Sequence, residues 1–288
     1  MKTKKRTTKN KKKVIVFDLD ETIGHFEELG RFIDALASFH ENGWFIKSYK
    51  KNAFDNITEN YFDALLDLYP EFFRNGIFSV FQNLIKEKKK NKHLKVMIYT
   101  NNMGPRSWTL YIKKYIEKKI KHKLFDKIIT GFHTNITKCR TTYKKTYDDL
   151  TKCASISKKI PILFLDDQFH ANMKHNNVTY IQVHPYKISI KFEEMTNRFL
   201  KKQSAFGEHF RFISNVSKRE FILNTKEILS KMGESYVTYK AVKTHINKKD
   251  KHELYIIKKN IKKFIKKGTR KKYKKKYKTH KFRKLKSP

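Results

Sequence analysis

The chain has 288 residues and a mass of 34.6 kDa, enough for one large domain or one domain with appendages. Its 39 % apolar content allows a core, and 67 basic against 27 acidic residues give a net charge of +40. No apolar run reaches the roughly 18 residues of a membrane span, and the basic start lacks a signal-peptide core, so we expect an intracellular protein, cytoplasmic or nuclear. Two cysteines, Cys139 and Cys153, make neither a disulfide framework nor a zinc site, which fits a reducing compartment.

Positive charge is concentrated at the two ends of the chain. Residues 1–13 hold eight basic residues and no acid, and residues 240–288 hold 22 basic residues against Asp250 and Glu253. Such tails can bind nucleic acid or another polyanion, or direct the protein to the nucleus. The alternative is a solvated tail produced by codon bias. The predicted division is a basic tail at 1–13, a main domain at 14–190, packing helices at 191–239 and a Lys-rich tail at 240–288.

Short apolar runs alternate with segments of helical spacing along the main domain. Apolar residues recur every three or four positions around 77–85 and 108–120, and Pro105 suits the first turn of the second helix. Strands that alternate with helices predict an α/β domain with a mostly parallel, five-stranded sheet. The strands are expected at 14–19, 94–100, 127–130, 162–165 and 178–183.

Two further regions are predicted to be helical. Residues 26–69 are expected to form a helical insertion after the first strand. Near the C-terminus, Asp250 and Glu253 form a capping-box-like start, and Gly268 can end the helix. We expect this basic amphipathic helix to dock on its own domain rather than on a membrane. Its apolar stripe consists of Leu254, Ile257, Ile261, Phe264 and Ile265.

Polar side chains follow three of the predicted strands. Asp18 and Asp20 end the first, Thr100 ends the second, and Asp166 and Asp167 end the fourth. Because the carboxyl ends of parallel strands meet at one edge of a sheet, the four acids would repel one another unless a cation lies among them. Oxygen ligands suit Mg²⁺, so all four acids are candidate metal ligands. Each residue can alternatively serve only as a cap or turn residue.

These residues resemble the motifs of a known superfamily. The sequence D-L-D-E-T at 18–22 resembles the opening motif of the haloacid dehalogenase (HAD) superfamily. Glu21, followed by His25, resembles the branch of RNA polymerase II C-terminal-domain phosphatases and NLI-interacting-factor-like phosphatases. Thr100 matches the second motif and 166–167 the fourth. The resemblance therefore implies a Rossmann-like HAD fold that spans about residues 14–185.

The third motif is less specific, and the sequence departs from the branch in places. Residues 132–150 align without gaps on the family stretch, where Arg140 matches and Lys145 falls on the motif lysine. Gly24 replaces a usual aliphatic residue, and His133 replaces an arginine associated with phosphopeptide binding. The segment after Gly24 is also longer than in the small phosphatases. Lys144 and Lys152 stay open as alternatives for the lysine.

The resemblance implies a Mg²⁺-dependent reaction in which each motif residue has a role. Asp18 would attack phosphorus and form an aspartyl-phosphate, and Asp20 would act as general acid and base. Mg²⁺ would be held by Asp18, Asp167 and the backbone carbonyl of Asp20, with Asp166 orienting the shell. The expected contacts to the phosphoryl group come from Thr100 and Lys145. Asn101 is also assigned to substrate binding, although for Asn101 and Asn102 alike a turn role is the alternative.

Three functions are therefore considered. The first is a phosphatase for phosphoserine or phosphothreonine in a protein. The second is a phosphatase for nucleic-acid ends or a small phosphate ester, which the basic tails favour. The third is an inactive HAD fold that serves as a basic nucleic-acid-binding or scaffold protein, although the presence of all four motif elements argues against it.

Overall fold

A parallel β-sheet organises the part of the chain that the structure describes. The computed structural model describes residues 11–41, 59–132, 139–202, 206, 218–231 and 248–267. All pairs of neighbouring strands in this part are parallel, and the spatial order is β3-β2-β1-β4-β5. This is the predicted five-stranded, Rossmann-like α/β fold. The strands are β1 (Lys13–Phe17), β2 (Leu94–Tyr99), β3 (Lys127–Ile129), β4 (Ile162–Asp166) and β5 (Val178–Gln182).

The first strand is shifted towards the N-terminus from its predicted position. Lys13, assigned from the sequence to the basic tail, pairs with Leu94 and begins β1. The strand ends at Phe17 because the chain turns directly afterwards, and Glu21 adopts a left-handed conformation with φ of 56°. Asp18 and Asp20 therefore lie in the loop after β1, not within an extended strand.

Helices cover both faces of the sheet. The predicted insertion contains α1 and α2, whereas residues 42–58 of it lie outside the described part. The helices are α1 (Glu27–Glu41), α2 (Glu59–Leu68), α3 (Ile77–Lys90), α4 (Arg106–Lys119), α5 (Tyr147–Ala154), α6 (Phe192–Lys201), α7 (Lys218–Lys231) and α8 (Lys248–Lys266), with short 3₁₀ turns at Pro70–Phe72 and Ala171–Met173. None of the described helices is both long and apolar enough to cross a bilayer.

The two faces of the sheet bury separate clusters. Val16 and Phe164 point to one face, where they pack with Leu150 of α5. Phe17 and Leu163 point to the other, which the helices outside α5 cover. Because both faces are buried, the central strands consist of continuous apolar runs, as the sequence indicates.

The C-terminal helix α8 docks on this domain through its apolar stripe. Ile257, Ile261 and Phe264 are buried, as the predicted amphipathic pattern requires. The ammonium group of Lys13 donates to the carbonyls of Phe264 at 2.8 Å and Lys267 at 2.8 Å, so it caps the C-terminal end of the helix. Gly268, like the remainder of the predicted basic tails at 1–10, 240–247 and 268–288, lies outside the described residues.

The N-terminus of α3 fixes the position of the other end of α8. Gly76 precedes α3 with φ of +74°, a conformation that favours glycine. A Cβ atom at this position would collide with the side chain of Leu254 in α8. Gly76 therefore satisfies both the turn and the close contact between the two helices.

The two cysteines are joined, which is a correction to the sequence analysis. Cys139 and Cys153 form a disulfide across a sequence separation of 14 residues. The sequence pattern did not predict this disulfide, because only the tertiary fold shows that α5 brings Cys153 back to Cys139 at the start of the preceding loop. The inference of a reducing compartment from two unpaired cysteines therefore loses its basis.

Candidate active site

The sheet topology places the predicted site residues at one edge. Strand β1 lies between β2 and β4, so the loops after these three strands converge where the strand order reverses. Asp18 follows β1, Thr100 follows β2 and Asp166 ends β4, and all three are buried. The predicted convergence at the carboxyl edge is therefore observed.

Three acids surround one lysine at this edge. Asp18, Asp166 and Asp167 each offer a carboxylate oxygen, and these atoms lie within 4.8 Å of one another. The Nζ atom of Lys145 lies 2.6 Å from Asp18 Oδ1 and donates to Asp166 Oδ2 at 2.8 Å. The buried lysine is thus Lys145, since Lys144 and Lys152 are exposed.

The acidic cluster fits a divalent cation. Asp18 Oδ1 is buried, and among the described residues it has only the ion pair with Lys145, without an aligned hydrogen bond. Three carboxylates beside a single ammonium group leave an excess of negative charge that burial makes costly. An all-oxygen donor set is what Mg²⁺ prefers, so Asp18 and Asp167, with Asp166 beside them, are suited to hold it.

The side chain of Asp20 contacts the loop after β2. Asp20 Oδ2 accepts hydrogen bonds from Thr100 Oγ1 at 3.4 Å and from Asn102 Nδ2 at 3.1 Å. Asn101 Oδ1 instead accepts a hydrogen bond from Arg140 Nη2 at 2.9 Å. The structure therefore brings Asn102 to the Asp20 carboxyl group and engages Asn101 in supporting the loop.

Burial and ion pairing shift the pKa values of these groups in different directions. Burial raises the pKa of Asp18 well above its usual value, although the charge of Lys145 opposes the shift. Burial also raises the pKa of Asp20, against the hydrogen bonds from Asn102 and Thr100. The pKa of Asp166 is lowered because hydrogen bonds from His170 and Lys145 outweigh the effect of burial. The raised pKa of Asp20 favours its protonated form, and its carboxyl group forms no ion pair with the described residues.

A threonine connects the first and fourth motifs. Thr22 Oγ1 donates to Asp167 Oδ1 at 3.2 Å and accepts from the backbone N–H of Asp167 at 3.1 Å. Both residues are buried, so this pair holds the loop after β1 against the end of β4. The threonine of the D-L-D-E-T motif therefore positions a metal-binding candidate.

Arg140 holds the loops that carry the site. Its guanidinium donates to the backbone carbonyl groups of Thr100 at 3.2 Å and Lys144 at 3.1 Å, so it joins the loop after β2 to the loop of Lys145. The Cys139–Cys153 disulfide begins at the preceding residue and spans the same loop. The sequence alignment matched Arg140 but gave it no role.

Sequence reasoning missed a second buried arginine, Arg74. Arg74 donates to the carbonyl groups of Thr22 at 2.7 Å and Glu21 at 2.6 Å, and so it supports the turn after the first motif. The sequence did contain a signal for Arg74: it is an arginine directly after two phenylalanines, in a chain that strongly prefers lysine. Arginine presents several donors in one plane, so it suits a buried position among backbone carbonyl groups.

Three further residues that the sequence singled out are Gly24, His25 and His133. Gly24 packs so closely against Phe72 that a Cβ atom would meet its carbonyl oxygen, which explains the glycine. His25 Nδ1 lies 2.7 Å from the carbonyl oxygen of Ile188, a structural contact rather than a catalytic one. His133 lies outside the described residues.

A pocket of about 440 Å³ opens beside Asp20. Its walls combine the apolar side chains of Phe26 and Trp108 with the acids Glu27 and Asp34. The Asp20 carboxyl group also borders the pocket, so a molecule bound there would lie against this carboxyl group.

Comparisons with known proteins are sparse. No protein-family model matches the chain, and no curated protein matches it. A solved structure with a similar fold is that of a mutant of CbbY from Rhodobacter sphaeroides in complex with xylulose-1,5-bisphosphate. The two share 18 % sequence identity, the match covers 54 % of this chain and 78 % of that one, and the TM-score is 0.32. A likeness this weak carries no argument about activity.

Proposed function

We propose that the protein is a Mg²⁺-dependent phosphatase that hydrolyses a phosphomonoester through an aspartyl-phosphate on Asp18, in the manner of the HAD superfamily. One observation carries the proposal. At the switch point of the sheet, Asp18, Asp166 and Asp167 form one cluster, Lys145 pairs with the first two, and Asp20 accepts hydrogen bonds from Thr100 and Asn102. This arrangement combines a nucleophile, a cation site and a proton donor.

The two aspartates of the first motif divide the chemistry between them. A carboxylate oxygen of Asp18 forms a bond to phosphorus while the bond from phosphorus to the ester oxygen breaks. Asp20 gives its proton to the leaving oxygen, which its raised pKa favours. In the second step Asp20 takes a proton from water, whose oxygen attacks phosphorus and releases inorganic phosphate and the Asp18 carboxylate.

The other site residues stabilise negative charge and position the reacting groups. Lys145 stabilises the ionised form of Asp18 in a buried place, and Thr100 and Lys145 supply donors for phosphoryl oxygens. Mg²⁺ held by Asp18, Asp167 and the Asp20 backbone carbonyl would stabilise the negative charge that develops on the phosphoryl group. Asp166 would orient the residues that hold Mg²⁺, because Lys145 and the backbone N–H of Gln168 donate to the two carboxylate oxygens of Asp166 and fix them in place.

A protein substrate is the proposed class, with the phosphate on serine or threonine. The pocket beside Asp20 supports this proposal. Glu27 in its wall is paired with Arg31 at 2.8 Å, whereas Asp34 forms no ion pair with the described residues and would repel the backbone of a nucleic acid there. The apolar wall with Trp108 can instead contact the side chains of a peptide. Phosphatase activity on nucleic-acid ends is therefore the less favoured alternative.

The test is hydrolysis of an aryl phosphate with and without Mg²⁺. We expect Asp18→Asn to lose at least about 10³-fold in turnover, because the nucleophile is removed. The matched control is Asp148→Asn, which removes an exposed acid paired with Lys158 and should retain full activity. Equal turnover by wild type and Asp18→Asn would refute the enzyme assignment and favour the inactive scaffold. Turnover of phosphoserine peptides against 3′-phosphorylated oligonucleotides then decides the substrate class.

A further inference from the structure

Three basic segments that are distant in sequence meet on one surface, which we call the amino-edge surface: residues 11–13, 86–92 and 258–267. The hydrogen bonds from Lys13 to the last carbonyls of α8 join the first segment to the third. Asn91 Nδ2 donates to the backbone carbonyl of Lys11 at 3.2 Å, which joins the second segment to the first. The surface lies where β1 and β2 begin, at the edge of the sheet opposite Asp18.

The positive charge of this surface is almost uncompensated within its own segments. Glu87 is the only acid in the three segments, and it pairs with Lys90 at 2.8 Å. Lys86, Lys258 and Lys262 make no ion pair with any residue that the structure describes. Most lysines here are exposed, so their charges are available to an anionic partner.

A groove of about 480 Å³ runs along the amino-edge surface between α3 and α8. Its floor contains Leu84 and Ile261, and its sides carry Lys86, Lys258 and Lys262. On α8, basic residues recur every four positions, at 258, 262 and 266. At a rise of 1.5 Å per residue this spacing is roughly 6 Å, so the helix presents a regular row of cations. A linear array of phosphates is the partner that such a row fits.

The orientation of α8 argues against a membrane as the partner. Its apolar side chains Ile257, Ile261 and Phe264 face the domain and are buried, so the helix has no apolar face to insert into a bilayer. Tyr255 is the exposed large hydrophobic residue of the described part of α8, with 57 % of its surface accessible. Lys259 Nζ lies 5.5 Å from its ring centre, and a tyrosine beside a lysine can stack on a base.

We propose that the amino-edge surface binds nucleic acid through its phosphate backbone, with Lys86, Lys258 and Lys262 at its centre. This inference is independent of the proposed phosphatase activity, because it uses no residue of the Asp18 site. It also adds α3 to the two basic ends that the sequence suggested. An acidic peptide is the less favoured partner, since exposed lysines that do not line the groove, among them Lys12, Lys92 and Lys267, belong to the same surface.

The test compares two triple variants of the full chain by fluorescence anisotropy with a labelled 20-base-pair DNA duplex. The first variant is Lys86→Gln/Lys258→Gln/Lys262→Gln. The control is Lys152→Gln/Lys159→Gln/Lys174→Gln, which removes three exposed lysines around α5, on the other face of the sheet. Both variants lose the same charge and keep every lysine of the remaining terminal segments, residues 1–10, 240–247 and 268–288. Urea midpoints verify that both remain folded.

We expect the first variant to bind the duplex more weakly and its salt dependence to become shallower. Each lost phosphate contact reduces the slope of log K against log salt by about 0.9, so three contacts predict a reduction of about 2.7. The control should keep the wild-type slope within about 0.5. Equal slopes for the wild type and the first variant would overturn the proposal, because the terminal segments alone would then carry the binding. Equal losses in both variants, or preferential binding to phosphatidylserine vesicles or to an acidic peptide over DNA, would also overturn it.

Discussion

Replacement of Lys145 by methionine tests the centre of the site most directly. The change keeps an unbranched chain of similar volume and removes the ammonium group. In the wild type this group lies 2.6 Å from Asp18 Oδ1 and 2.8 Å from Asp166 Oδ2, and the lysine side chain is 2 % exposed. The variant therefore leaves two buried carboxyl groups without their shared cation.

The expected loss of stability follows from this burial. Removal of one partner from a buried ion pair costs about 3–5 kcal/mol, because the remaining charge is desolvated and unpaired. With a urea dependence of about 3 kcal/mol per molar for a chain of this size, the midpoint should fall by roughly 1–2 M. Turnover should also fall by about 10²–10³-fold, the usual effect of losing one donor to a developing negative charge.

The measurement is urea unfolding in the presence of a chelator, so that no divalent cation compensates for the lost charge, together with aryl-phosphate turnover in Mg²⁺. Lys144→Met and Lys152→Met are the matched controls, because both lysines are exposed. Their free energies of unfolding should change by less than about 0.5 kcal/mol. A stable and active Lys145→Met variant, or a larger loss in either control, would refute the assignment of the third-motif lysine.

Three further predictions concern stability. Replacing Cys139 and Cys153 by serine should lower the free energy of unfolding by about 3 kcal/mol, since the bridge spans 14 residues; reductant should do the same to the wild type and nothing to the variant. Burial raises the pKa of Glu28 in the folded protein above its value of about 4.3 in the unfolded chain. As the pH rises through this interval, the wild type should therefore lose stability relative to Glu28→Gln. Urea unfolding at pH 4 and pH 7 measures the difference. Phe264→Ala should cost about 3–5 kcal/mol by calorimetry, because the ring is buried where α8 contacts the domain.

Each of these predictions has a distinct contrary result. A reductant effect that persists in the double-serine variant would mean that the bridge is not the cause. A Glu28→Gln variant that follows the wild type at every pH would show that burial does not shift this carboxyl group. A thermal transition unchanged in Phe264→Ala would mean that α8 is not part of the cooperative unit.

The fold and the central acids could be predicted because their signals are local. Continuous apolar runs such as those of β1 and β4 identify buried parallel strands. The topology of a parallel sheet then places Asp18 beside Asp166, because the carboxyl ends of its strands share one edge. The exact end of β1 could not be predicted, because it depends on the left-handed turn at Glu21, which Arg74 supports from another part of the chain.

The supporting residues were hidden because their roles depend on tertiary contacts. Arg140 acts on backbone carbonyl groups, which carry no sequence signature. Lysine is so frequent in this chain that the buried Lys145 could not be separated from its neighbours without coordinates. Asn101 was the asparagine predicted to contact the substrate, yet its Oδ1 atom accepts from Arg140, and it is Asn102 that donates to Asp20; the sequence carries no signal for these side-chain directions.

The contact between Lys13 and the end of α8 marks the amino end of the sheet, and the Asp18 site lies at the carboxyl end. Lys13 begins β1 and Asp18 follows its last residue, so a five-residue strand of about 16 Å lies between them. A nucleic acid bound on the amino-edge surface therefore does not offer the same phosphates to Asp18. It would act as a tether, which raises the local concentration of the proposed phosphatase site around other phosphorylated molecules attached to that nucleic acid.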